Sequence, residues 1–258
     1  MRLKEFDVES SRIKSIILVM ICMIPIHFGG NSYGVYLGLG LSVSIMNWIS
    51  SGFLAIAITH VLDKRILSLF SLMLYELSCQ LISEETIFNS FYILVITVAI
   101  LWHLSIINRE IRDGDYSLGY NFDERLTNLI CHDFQMVKPP ILFRIITYIF
   151  MIQAYMITNG MIESFSTEVD VSSVNLAGSI IYIFALLMMV IDVPDALFLW
   201  GMIFVNTAAA AISTTKIQTG LLVTTIMEQM VYMVCILVSM EVYFLKNRDC
   251  KVTISNNT

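Results

Sequence analysis

Apolar residues fall into eight long runs, at about Arg12 to Phe28, Tyr33 to Leu62, Ile66 to Ile82, Ile87 to Ile107, Leu142 to Ile162, Val171 to Ile191, Ala196 to Ser213 and Leu221 to Leu245. Each approaches or exceeds the ~20 apolar residues with which a helix crosses about 30 Å of hydrocarbon. The pattern predicts an all-α, polytopic integral membrane bundle of about eight transmembrane helices, a single membrane domain over residues 1–258. The connections Asp63 to Arg65, Ser83 to Thr86 and Asp192 to Asp195 are so short that the helices they join should be antiparallel neighbours.

Two runs fit the pattern less simply. Tyr33 to Leu62 holds 30 residues, which as continuous helix would extend about 45 Å at 1.5 Å per residue. It must tilt, bend, or begin as an interfacial piece rich in glycine, with Gly34, Gly38 and Gly40 as breaking points. Ala196 to Ser213 is short enough to form a re-entrant hairpin instead of a span, and a seven-span arrangement is the alternative to eight.

The long polar segment Asn108 to Pro140 interrupts the runs. Phe122, Leu126, Leu129, Ile130, Phe134 and Val137 recur there at helical spacing, which predicts an amphipathic helix over about 122–137. Asn121 is placed to cap it, Asp123 and Glu124 suit its first turn, and Pro139 and Pro140 stop it. Its apolar face, Phe122, Leu126, Leu129, Ile130 and Phe134, is a candidate partner-binding surface. The segment divides the runs into two groups of four, but the halves share no matching residues.

Composition agrees with a membrane interior. Hydrophobic residues make up 57% of the chain and charged residues 14%, against about 25% charged in soluble domains. The placement of lysine and arginine then orients the bundle, because cytoplasmic segments carry the excess. With the N-terminus inside, the cytoplasmic side receives Arg2, Lys4, Arg12, Lys14, Lys64, Arg65, Arg109, Arg112, Arg125, Lys138, Arg144, Lys246, Arg248 and Lys251. Lys216 alone falls outside, among loops that carry Glu84, Glu85, Glu163, Glu168 and Asp170. A seven-span chain would expel either the N-terminal or the C-terminal basic cluster. Eight spans with both termini and the 108–140 loop in the cytoplasm, in a plasma membrane of the bacterial inner-membrane kind, is therefore the expectation. The first run lacks a small-residue cleavage site and reads as a retained span.

The net charge of -6 is spread over short loops, so no nucleic-acid surface is expected. The five cysteines form no CxxC pair and imply neither a disulfide framework nor a zinc site. The sequence contains no zinc-protease, serine-hydrolase, P-loop, GxGD or dinucleotide-binding motif. No enzyme, cofactor or metal is expected. The text Cys131, His132, Asp133 is no triad, since consecutive helical residues point about 100° apart.

Candidate chemistry lies instead at membrane depth, where an ionisable group costs at least ~2.5 kcal/mol and needs a partner, water or a function. Glu76 in the third run is flanked by Ser68, Ser71, Tyr75, Ser78, Cys79 and Gln80, and Glu228 in the eighth by Thr225, Gln229, Tyr232, Cys235 and Ser239. These two stripes, with Asn47, Gln153 and Asn206, are the candidate path for an ion or small polar solute. The competing reading is structural, because polar side chains also bond membrane helices together at roughly 0.6 kcal/mol each. The same choice applies to Asn159. His60 and His103 near the inner ends of their runs are either interfacial anchors or a pH-sensitive pair. Pro25 with Gly29 and Gly30, and Asp192 with Pro194 and Asp195, are helix stops or carbonyl sites for a cation.

Two functions suit this pattern. One is a channel or carrier with a polar route between the third and eighth spans. The other is a membrane scaffold that recruits proteins through the 108–140 loop. Either permits a homo-oligomer or a place in a larger membrane complex, because Gly34 to Gly38 and Ala208 to Ala211 allow close helix contact.

Overall fold

A computed structural model of the protein describes residues 2–28, 40–82, 86–133, 141–142, 144–149, 152–153, 171–191, 193–213 and 219–255. The glycine-rich start of the second run lies outside the described residues. So do most of the fifth run with Asn159, the helix-stop residues Pro139 and Pro140, and the outer residues Glu84, Glu85, Glu163, Glu168, Asp170 and Lys216.

The described elements are all helical: α1 Arg2–Phe28, α2 Gly40–Thr59, α3 Arg65–Ile82, α4 Thr86–Asp113, α5 Phe122–Ile130, α6 Val171–Val190, α7 Asp195–Ser213 and α8 Thr219–Ser255. Residues 144–149 are also helical. Five stretches are long and apolar enough to cross a membrane: Glu9–Phe28, Leu41–Thr59, Arg65–Ile82, Ser90–Asp113 and Ile226–Phe244. Helices α6 and α7, of 20 and 19 residues, are likewise apolar.

Among the described residues, seven helices close into a ring. Around it α1 packs on α2, α2 on α3, α3 on α4, α4 on α6, α6 on α7, α7 on α8, and α8 back on α1, while α2 also touches α8 across the ring. One apolar core runs through it, from Val19 and Met23 of α1 through Ile58, Leu69 and Leu72 to Leu186, Leu199 and Trp200. The outer surface is apolar too. Ile13, Ile17, Ile21 and Ile24 form an exposed stripe on α1, and Leu94, Val98 and Leu101 form one on α4. Faces of this kind belong against lipid, because water would penalise them at about 25 cal/mol per Å². The apolar helices and their exposed apolar faces together mark an α-helical integral membrane protein.

Helix ends differ from the apolar runs. The fourth helix continues past Ile107 to Asp113, and the last passes Leu245 to reach Ser255. Neither extension contains proline or glycine, and their polar residues sustain helix in water as readily as apolar ones do in lipid. The described part of α2, Gly40–Thr59, holds 20 residues, an ordinary spanning length.

The amphipathic helix requires the largest correction. It ends at Ile130, not near Val137. Cys131 closes the last turn by donating its N–H to Thr127 O, and His132 then leaves the helix to bond Glu110 of α4 at 2.9 Å. Asn121 occupies the N-cap position with extended backbone, but its side chain makes no capping bond. The 114–133 segment is tied to itself: Tyr116 donates to Asn128 O at 2.5 Å, and Arg125 Nε donates to Gly119 O at 3.1 Å. Burial raises the Tyr116 hydroxyl above the usual phenol range, with the Cys131 and Glu110 side chains adding to the shift. Gly119 sits at φ +82°, where a side chain is strained.

Candidate functional site

The α3 sequence places Ser68, Ser71, Tyr75, Glu76 and Ser78 on one flank, and the ring turns most of that flank inward. Glu76 is only 4% exposed. Its Oε1 accepts a 2.5 Å hydrogen bond from the Tyr182 hydroxyl of α6. Tyr75 and Cys79 lie one turn apart on α3.

Helix α8 presents Glu228, Tyr232, Cys235 and Ser239 at spacings of three and four. Tyr232 donates to Glu228 Oε1 at 3.5 Å, the outer limit of a hydrogen bond. Ser51 of α2 lies near this hydroxyl; its Oγ donates to Asn47 O at 2.9 Å and lies 3.1 Å from His27 Nε2 of α1. Lower on the same face, Ser239 donates to Ile58 O at 2.6 Å.

Helix α2 packs on both α3 and α8, the two helices that carry the predicted stripes. Glu228 lies within electrostatic reach of Tyr75 and Cys79, and Tyr232 within reach of Tyr75. An aromatic series crosses the core beside them. Ring centroids are 4.6 Å apart for Tyr92 and Tyr182, 5.3 Å for Tyr182 and Trp200, 6.0 Å for Trp200 and Phe204, and 5.3 Å for Phe204 and Tyr232. Such contacts contribute about 0.5–1.5 kcal/mol each and hold both carboxyl-bonded tyrosines in place.

The remaining predicted site residues sit apart. Gln80 bonds Ser90 of α4 at 3.0 Å on the exposed edge of α3, and Gln153 is exposed. Gln229 is half-buried beside Glu228. Asn47 contributes its backbone oxygen, which accepts from Ser50 and Ser51. The side chain of Asn206 lies outside the described residues, as does Phe134. Of the proposed partner face, Phe122 and Leu126 are exposed, Ile130 is half-buried, and Leu129 packs against the chain's own Ile66 and Ile107.

Three participants carry no single-residue signal in sequence. His27 looks like the polar end of an apolar run, Ser51 like one of many small residues, and Tyr182 like an ordinary interfacial aromatic. Each enters the site only because a different helix is packed against it.

The opposite end of the bundle holds a second polar cluster. Arg12, 1% exposed, bonds Asp63 at 2.6 Å and Glu9 at 3.0 Å, and Lys64 reaches the same Glu9 oxygen at 2.7 Å. Asp63 also accepts from the Lys64 backbone N–H at 2.9 Å. This network fastens α1 to the α2–α3 turn. Arg144 forms a paired contact with Asp195 at the start of α7. His60 and His103 are buried, and each ring bonds the carbonyl four residues before it. Among the described residues, no three His, Cys, Asp or Glu side chains converge to hold a metal.

No protein family, no curated protein and no solved structure matches the chain.

Proposed function

We propose that the protein is a channel or carrier for an ion or small polar solute, and not an enzyme. Its polar route is lined by α3 and α8 and completed by Ser51 of α2 and Tyr182 of α6. The observation that carries this reading is a pair of carboxyl groups on the apolar helices, Glu76 buried and Glu228 half-buried, each within hydrogen-bond range of a tyrosine. Intramembrane acids that face the interior of a bundle mark ion and proton pathways in membrane proteins. The reading includes eight spans, with both termini and the 108–140 loop in the cytoplasm of a bacterial-type inner membrane. Support comes from the basic residues Lys64, Arg65, Arg109, Arg112 and Arg125 gathering on one side. The test is flux in proteoliposomes. Glu76→Gln and Glu228→Gln should each lower it several-fold, and unchanged flux in both variants defeats the reading.

A second reading, a scaffold subunit, is favoured by one observation. Tyr120 is 96% and Phe122 78% exposed on the same polar loop, beside the exposed Leu126. Aromatic residues in such positions anchor protein contacts. Affinity purification of Phe122→Asp alongside the unaltered protein separates the two: loss of a stoichiometric partner supports a scaffold, and a self-contained particle or homo-oligomer supports transport.

A further inference from the structure

Acyl chains exchange freely over the outer surface of a membrane protein unless a recess with a charge at its mouth gives one lipid a fixed place. The bundle has such a recess. A groove of about 990 Å³ lies between α7, α8 and the helical residues 144–149, with the buried Ile181 of α6 and Leu62 of the α2–α3 connection behind it. Its rim is open, since Phe198, Val205 and Phe244 are exposed.

The length of the groove is that of one leaflet. On α7 its lining runs from Asp195 to Val205, and on α8 from Phe244 back to Met233, which is about 15 Å along either helix. The hydrocarbon is about 30 Å thick, so a helix of a second chain would run twice as far as the groove does. The mouth, at Arg144, Asp195 and Leu62, lies at the end of the bundle where Asp63 and Lys64 make the α2–α3 turn. The groove therefore leads from a polar end to the apolar middle.

The mouth is positive. Arg144 donates to Asp195 through Nε, at 2.6 Å, and through Nη2, and this pair leaves Nη1 out. The carboxylate is the covered member: its side chain is 9% exposed, against 43% for Arg144. The turn that carries Arg144 is held on α7 by Tyr148, whose ring meets Phe198 edge-on at 6.1 Å. A guanidinium with an unused edge suits a phosphate oxygen.

Below the mouth the lining is apolar and adaptable. Met202, Met233 and Met240 belong to it, and methionine adjusts to an irregular occupant. Gly201 stands midway along the α7 side. Among the described residues a Cβ there would meet only the Ile236 methyl, at 3.8 Å, so helix packing does not demand a glycine that costs a helix interior about 1 kcal/mol. Its effect is to keep the groove clear.

We infer that this groove binds one phospholipid, with the phosphate on Arg144 and an acyl chain lying along Gly201 and Met233. The inference goes beyond the transport reading and holds equally for a scaffold.

The experiment is native mass spectrometry of the full chain in detergent, titrated with phosphatidylglycerol and, separately, with diacylglycerol of the same acyl chains. One phosphatidylglycerol should stay bound per chain, with an affinity about tenfold or more above that of diacylglycerol, as expected for a hydrogen bond between charged groups. Glycerol phosphate, the headgroup without chains, should not displace it. Gly201→Leu fills the groove and should abolish retention. Should Gly201→Leu fail to give a monodisperse protein, Val205→Trp obstructs the same groove from an exposed position. Arg144→Gln combined with Asp195→Asn removes both charges without stranding the buried carboxylate, and should erase the preference over diacylglycerol. Leu94→Trp, on the exposed face of α4, should change nothing. Undiminished retention in Gly201→Leu and Val205→Trp overturns the inference, as does equal binding of diacylglycerol by the unaltered chain. Displacement by glycerol phosphate would assign the mouth to a soluble phosphate instead. A dimer that Gly201→Leu dissociates would assign the groove to a second copy, and either result overturns the lipid.

Discussion

The Tyr182 hydroxyl donates to the Glu76 carboxyl at 2.5 Å, joining α6 to α3 inside the ring although the two residues are 106 positions apart. The bond gives the buried Glu76 a partner inside the protein. Tyr182→Phe should therefore leave a buried acid unsatisfied and lower stability by about 1–3 kcal/mol. Thermal unfolding in detergent measures this. Adding Glu76→Leu to Tyr182→Phe should recover part of the loss, and strictly additive losses in that double variant would show that the bond contributes nothing.

Arg12 and Asp63 are both almost wholly buried, and their contact fastens α1 to the α2–α3 turn. Removing one partner strands the other charge. Arg12→Ala is expected to destabilise the fold by about 3–5 kcal/mol, whereas Lys64→Ala, whose partner Glu9 is more than a third exposed, should cost about 1 kcal/mol or less. Unfolding titrations on the two variants give the comparison, and equal losses would contradict the burial of Arg12.

Gly119 holds a left-handed backbone conformation that the carbonyl bond from Arg125 exploits. Gly119→Ala should loosen the 114–133 loop at a cost of about 1–2 kcal/mol, raising the rate of limited proteolysis at Arg125. Gly114→Ala meets open space but also has positive φ, so its effect should come from backbone strain alone. Proteolysis no faster than in the parent protein would refute the loop geometry.

Cys131 is exposed on the 108–140 loop, whereas Cys22, Cys79 and Cys235 lie within helices of the bundle. In a Cys250→Ser background, a membrane-impermeant maleimide should label Cys131 in inside-out vesicles and not in right-side-out ones. Labelling in right-side-out vesicles would reverse the proposed orientation.

The membrane class, the approximate positions of the apolar helices and the two acids were legible in the sequence because each depends on local composition. Twenty consecutive apolar residues announce a span wherever they occur, and Glu76 and Glu228 stand out against such a background. The stripes at Tyr75, Cys79, Tyr232 and Cys235 followed from helical periodicity. Helix ends were less legible, since polar residues such as those from Asn108 to Asp113 continue a helix without any apolar signal.

Tertiary structure alone decided which side chains those stripes meet. Periodicity fixes the direction of a residue from its own axis but says nothing about which helix stands opposite. Closure of the ring brought His27 to Ser51, Ser239 to the Ile58 carbonyl and Tyr182 to Glu76, contacts between helices as far apart in sequence as α2 and α8. Inter-helix packing is chosen by the fit of whole faces, and that information is distributed over dozens of apolar residues. The sequence by itself determined that polar groups would lie in the apolar runs; only the packed ring determined which partners they would meet.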